Sequence, residues 1–229
     1  MQLLRLLIVA GLAATGLGQS KVKIMYLGDS ITEITCWRAL VWDMLAQANL
    51  TDKVQMVGSM TNNAQNCKAT APNFDLHHEG HSGWLGIDIA NSYLTGWLAS
   101  SKPDIVQFML GTNDVVRGHS TSEITAAYTK MVGQMRVSNP SMKIIVDKVI
   151  PLSFSNSAID AINQAIPSWA QAQNSTASPI MIADCSTQAG FTTSMLRDGV
   201  HPNTQGDQLM AKQIGPILIQ LVKDKLAGL

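Results

Sequence analysis

Ile24-Met25-Tyr26-Leu27-Gly28-Asp29-Ser30-Ile31-Thr32 sets an apolar run directly against a glycine turn. The run reads as the end of a buried strand, and the residues beyond Ser30 read as the start of a helix. A serine on such a turn stands where parallel α/β sheets gather their chemistry, past the carboxyl ends of the strands. Strand-like runs recur at 54–58, 105–110, 143–150 and 180–184, after a first one at 22–27. Between them, Trp37, Leu40, Val41, Met44, Leu45 and Ala48 share one helical face, and Ile124, Ala127, Tyr128, Met131, Val132 and Met135 share another. A last helix follows from Leu209, Met210, Ile214, Ile217, Leu218, Leu221 and Val222, with Asn203 as its cap. Gly215-Pro216 should kink or interrupt it. The alternation predicts a three-layer α/β/α fold with a five-stranded parallel sheet in the flavodoxin-like order 2-1-3-4-5. Residues 59–83 form one long irregular stretch, and loops of that length are usually functional.

The chain has 229 residues, 46% hydrophobic and 14% charged, with 16 basic against 16 acidic side chains. That length suits one α/β domain with a real core. A neutral balance without a basic cluster excludes the electrostatic footprint of nucleic-acid or anionic-membrane binding, and a monomer is expected. Residues 1–20 differ from the rest. Arg5 precedes the apolar run from Leu6 to Ala14, and the small residues Gly16 and Gly18 follow. That pattern predicts a secretory signal peptide, because the run is shorter than the roughly 20 residues of a membrane span. Residues 21–229 are left as a single secreted, extracellular domain.

Export places Cys36, Cys67 and Cys185 in an oxidising setting. Cys185 ends an apolar run and is expected to be a buried free thiol. Cys36 and Cys67 follow the first and second strands, which makes their loops neighbours if those strands pair, and a Cys36–Cys67 disulfide is predicted. Asn49-Leu50-Thr51 and Asn174-Ser175-Thr176 are glycosylation sequons, so Asn49 and Asn174 are candidate acceptors.

Two further motifs stand just past strands. Gly111-Thr112-Asn113-Asp114 follows the third, and Asp198-Gly199-Val200-His201 precedes the last helix. Asp198 and His201 are close enough within a turn for the carboxylate to accept from Nδ1–H. The imidazole then keeps Nε2 free to take a proton from Ser30.

With these residues in view, the chain resembles the GDSL/SGNH hydrolase superfamily. Gly28-Asp29-Ser30, a glycine within Gly80-His81-Ser82-Gly83, Gly111-Thr112-Asn113-Asp114 and Asp198-Gly199-Val200-His201 are similar to its four blocks, in order, over essentially the whole mature chain. The resemblance implies Ser30, Asp198 and His201 as a catalytic triad. It also implies an oxyanion hole made by the N–H groups of Ser30 and Gly83 and the amide of Asn113. The wider wording, Gly28 to Arg38 with His78-Glu79-Gly80-His81-Ser82-Gly83-Trp84, resembles the fungal acetyl xylan esterases of carbohydrate esterase family 3. The implied function is a secreted serine esterase acting on acetylated plant polysaccharide, without a cofactor. A pectin or rhamnogalacturonan acetylesterase, a short-chain lipase and a non-catalytic carbohydrate-binding protein are the alternatives.

Other residues invite plainer readings. Ser82 lacks the Gly-x-Ser-x-Gly elbow and follows no strand, so it is not the nucleophile. His77, His78 and His81 cluster with Glu79, yet they miss the His-Glu-x-x-His spacing of a zinc helix, and no metal site is assigned. Trp84 is a candidate for stacking on a sugar or lining the acetyl pocket, with plain packing as its alternative. Asp29 and Asp114 are expected to brace their turns. Arg38 and Arg117 read as surface charges.

Overall fold

The computed structural model describes residues 20–228, so the expected signal peptide lies, but for Ser20, outside the described residues. Five parallel strands form the sheet: β1 (Val22–Gly28), β2 (Val54–Val57), β4 (Ile105–Met109), β5 (Lys143–Lys148) and β6 (Ile180–Asp184), in the order β2-β1-β4-β5-β6. This is the expected order 2-1-3-4-5 with one strand added. The addition, β3 (Glu79–Gly80), pairs with the carboxyl end of β1 through Leu27 opposite Glu79 and Gly28 opposite Gly80. Because β2 pairs only with Val22 to Met25, β3 continues the same edge where β2 stops. The chain leaves that edge, loops through 58–78, and returns beside Ser30.

Alternate residues of each strand point to opposite faces, and each face carries its own core. Met25, Leu27, Val106, Phe108, Ile144 and Val146 meet side chains of α4 (Leu94–Ser101), α6 (Thr121–Ser138) and α7 (Asn156–Gln173). Ile24, Tyr26, Ile105 and Ile145 meet Trp37, Val41 and Leu45 of α2 (Trp37–Gln47) and Met210, Ile214 and Leu218 of α8 (Thr204–Leu226). The sheet is therefore covered on both sides, as continuous apolar strands require. Asn203 caps α8, its side chain accepting from Gln205 and Gly206 N–H at 3.0 and 3.3 Å.

Three expectations need correction. Helix α8 runs through Gly215-Pro216 without interruption. Pro216 faces solvent, which can satisfy the carbonyl it leaves unpaired. Gly215 serves packing: a Cβ there would lie 2.5 Å from the Met44 sulfur of α2. Strand β3 lies inside the stretch expected to be irregular. Arg38, read as a surface charge, is 3% exposed. Its guanidinium donates to the carbonyls of Thr32, Glu33 and Leu76, which gives a buried cation three acceptors. Arg117 is exposed as expected.

Cys36 and Cys67 form the predicted disulfide, and Cys185 is buried and free. The bridge closes the returning loop onto the segment that follows Ser30. Asn49 and Asn174 are both exposed. Among the described residues no helix is long and apolar enough to cross a membrane.

Candidate active site

Ser30 opens α1 (Ser30–Glu33), a single turn capped by Asp29, whose Oδ1 accepts from Ile31 N–H at 2.9 Å. Gly28 must be glycine, since a Cβ there would come within 2.1 Å of the Thr32 hydroxyl. The turn therefore packs directly on the strand end and presents Ser30 at the rim of the sheet.

From the other end of the chain, the loop before α8 brings His201 to Ser30. Its Nε2 accepts from the Ser30 hydroxyl at 2.9 Å, and its Nδ1 donates to Asp198 Oδ2 at 2.8 Å. Asp198 Oδ1 accepts from the N–H groups of Val200 and His201, at 3.1 and 2.8 Å. Burial would raise the Asp198 pKa, but hydrogen bonds from His201 and Val200 outweigh it and hold the group well below the usual carboxylate range. A carboxylate that stays ionised on Nδ1–H fixes the tautomer that leaves Nε2 basic. The pieces of a serine nucleophile, a base and an orienting acid stand within hydrogen-bond reach.

Asn113 sits in α5 (Thr112–Val116), just past β4. Its amide nitrogen lies 3.1 Å from Asp29 Oδ2 and 3.1 Å from the Trp84 carbonyl, so it joins the Ser30 turn to the Gly83 loop. Asp114 beside it accepts from Gly86 and Ile87 N–H at 2.8 and 3.1 Å. Asp29 and Asp114 thus brace turns, as expected.

Gly83 follows β3 and has φ +80°, a left-handed conformation that favours glycine. Every other N–H from Gly80 to Trp84 is engaged. Gly80 donates to His78 Nδ1, His81 to the Gly28 carbonyl, Ser82 to Glu33, and Trp84 to the His81 carbonyl. Among the described residues no partner takes the Gly83 N–H. A free, oriented N–H beside a nucleophile is what an oxyanion hole requires.

Trp84 packs into a ring cluster with His81, Tyr93 and Trp97, its centroid 4.6 Å from His81 and 4.5 Å from Tyr93. His81 is pinned from behind by Glu79, Nε2 to Oε1 at 2.7 Å, and Glu79 in turn accepts from Ser59 N–H. His78 Nε2 lies 3.2 Å from the Asn62 carbonyl, so the histidines near Ser82 support the loop. No group of three or more His, Cys, Asp or Glu able to hold a metal occurs among the described residues. Ser82 is exposed, and its N–H is committed to Glu33.

The site is open. Gly83 and Asp198 are exposed, and a cavity of about 500 Å³ lined by Leu98, Lys102, Pro103, Gln134 and Val137 adjoins the amino end of β4. That is the opposite end of the sheet from Ser30.

Four buried acids make stability depend on pH. Burial raises the pKa of Asp29 to about 7, that of Asp207 to about 6, that of Asp147 well above the ordinary value, and that of Asp114 in the same direction. Each holds a proton in the folded protein that an unfolded aspartate releases above about pH 4. Their stabilisation is complete below that pH and is lost as pH rises through the folded values. Burial pushes His78 down to about 4, which acts in the other direction, but only up to the unfolded histidine value near 6.5. The melting temperature is therefore expected to fall between about pH 6.5 and 8, and a flat or rising curve over that window would contradict this assignment.

Residues 26–209 match the model of the GDSL-like lipase/acylhydrolase family. The chain is similar to a serine-to-alanine mutant of an acetyl esterase solved with an acetate ion, at 56% identity and TM-score 0.87, covering 89% of this chain and 99% of that one. It is equally similar to a carbohydrate esterase family 3 protein from Talaromyces cellulolyticus, at 56% identity and TM-score 0.86 over the same shares. A multidomain esterase from Ruminococcus flavefaciens is 28% identical over 221 residues, which cover 83% of this chain. The chain spans 28% of the length of that curated relative.

Proposed function

The chain belongs to the GDSL-like lipase/acylhydrolase family, and we propose that it is a secreted serine esterase that removes acetyl groups from plant cell-wall polysaccharide, acetylated xylan in particular. The observation that carries this reading is the chain of hydrogen bonds from Ser30 through His201 to Asp198 at the end of β1. Ser30 Oγ attacks the ester carbonyl while Nε2 of His201 takes its proton, and Asp198 steadies the imidazolium. The carbonyl oxygen, now an oxyanion, is held by the N–H groups of Ser30 and Gly83 and the amide of Asn113. As the tetrahedral intermediate collapses, His201 returns the proton to the departing sugar hydroxyl. Water then attacks the acetyl-enzyme with His201 again as base, releasing acetate.

The exposed setting of Gly83 and Asp198 supports a bulky substrate, because an ester on a polymer can reach Ser30 without entering a tunnel. The likeness to an acetyl esterase and to a family 3 carbohydrate esterase supports a small acyl group and a sugar alcohol. The disulfide supports an oxidising, extracellular setting. Trp84, whose carbonyl accepts from Asn113 and whose ring packs on His81, Tyr93 and Trp97, is the aromatic residue we assign to substrate contact.

Acetate release from acetylated xylan, pectin and chitin, together with hydrolysis of p-nitrophenyl acetate, butyrate and octanoate, tests the assignment. Xylan and the acetate ester are expected to be preferred. Faster cleavage of octanoate would point to a lipase, and a preference for pectin to another deacetylase. Loss of reaction with all of them would leave a binding protein.

A further inference from the structure

We propose that Glu33 is a positioning residue that fixes the oxyanion-hole loop to the nucleophile's own helix, by gripping the Ser82 N–H next to Gly83. The proposal rests on the oxyanion-hole reading given above. Glu33 is the last residue of the one-turn helix that Ser30 begins. Its Oε2 accepts from Ser82 N–H at 2.6 Å and its Oε1 from the Asn62 amide at 2.5 Å. Bonds of this kind to an ionised carboxylate are short and about twice as strong as neutral ones. Partial burial would raise the Glu33 pKa, but the Ser82 and Asn62 hydrogen bonds more than offset this and leave it lowered.

The backbone approaches closely as well: a Cβ on Gly80 would lie 2.7 Å from Glu33 N. Ser82 N–H and Trp84 N–H are each tied down, the first by Glu33 and the second by the His81 carbonyl. The Gly83 peptide between them is thereby oriented with its N–H left over. Without Glu33 the loop keeps its hold at Gly80, His81 and Trp84 but loses the anchor at Ser82, on the amino-terminal side of Gly83. A donor displaced by a fraction of an ångström from the developing oxyanion loses effect in the transition state more than in the ground state.

Glutamine at position 33 can still accept from Ser82 N–H. Its amide would then face Asn62, whose Oδ1 is buried without a partner and becomes available as acceptor if that side chain turns over. Aspartate keeps the charge but is one methylene too short to reach. The test is steady-state hydrolysis of p-nitrophenyl acetate by Glu33→Gln, Glu33→Asp and Glu33→Ala, with Ser30→Ala as reference and melting temperatures alongside. The Asp and Ala variants are expected to lose about 10- to 100-fold in kcat, less than removal of a whole oxyanion donor, with KM within about twofold. The Gln variant is expected to stay within about threefold of the parent. An Asp variant more active than Gln would show that charge and not reach matters, and overturns the proposal, as does a fall confined to KM. If Glu33→Ala fails to fold, the comparison of Gln with Asp decides alone. Ser30→Ala dead with all Glu33 variants unimpaired sinks the role of Glu33 and leaves the esterase reading standing. A fully active Ser30→Ala sinks both.

Discussion

Ser30→Ala is expected to slow acetyl-ester hydrolysis about a million-fold, the scale seen when a triad serine is removed from a serine hydrolase. The Ser30 hydroxyl makes one hydrogen bond, to His201 Nε2 at 2.9 Å, and alanine at the first position of α1 leaves the Asp29 cap intact. Stability should therefore hardly change. Initial rates of acetate release, read beside a thermal melt, separate a lost nucleophile from a lost fold. A variant that retained even a tenth of the parent rate would require another nucleophile.

Asn113→Ala is expected to cost about 100- to 1,000-fold in kcat, the usual range for one oxyanion donor. The geometry makes the case specific. An amide has two protons, and two acceptors, Asp29 Oδ2 and the Trp84 carbonyl, already lie 3.1 Å from the nitrogen. A developing oxyanion must share or replace one of them. Replacing a neutral carbonyl by a negative oxygen is a gain made only as charge develops, which is how a hydrogen bond becomes catalytic. Asn113→Asp should be worse than alanine, because it sets a carboxylate beside buried Asp29 and beside the forming oxyanion. Turnover of p-nitrophenyl acetate by the two variants checks the order. An aspartate variant faster than the alanine one would remove Asn113 from the hole.

Much of this was legible in the chain because it rests on local signals. An apolar run meeting Gly28-Asp29-Ser30 marks both a strand end and a helix cap, and Asn203 marks the start of α8 in the same way. Cys36 and Cys67 could be paired because both follow strands that lie side by side. What escaped has no local signal. Strand β3 is two residues long, Glu79 and Gly80, and its pairing with β1 is a matter of backbone and not of apolar pattern. Arg38 is buried by carbonyls that converge from α1 and from Leu76, distant in sequence. Glu33 carries no signal of its own in the sequence, since its partners Asn62 and Ser82 arrive only when the long loop returns to the sheet edge. The serine, histidine and carboxylate were readable as motifs; the contacts that hold the Gly83 loop were not.

The Ser30–His201 hydrogen bond joins residues 171 positions apart. On the proposed mechanism, nearly the whole chain must be synthesised before Ser30 has its base. A nascent or truncated chain ending before residue 201 holds a chemically ordinary alcohol at Ser30. Under the proposed roles of Ser30 and His201, hydrolysis reports that two distant parts of the chain have met, and a chain lacking His201 is expected to be inert toward esters.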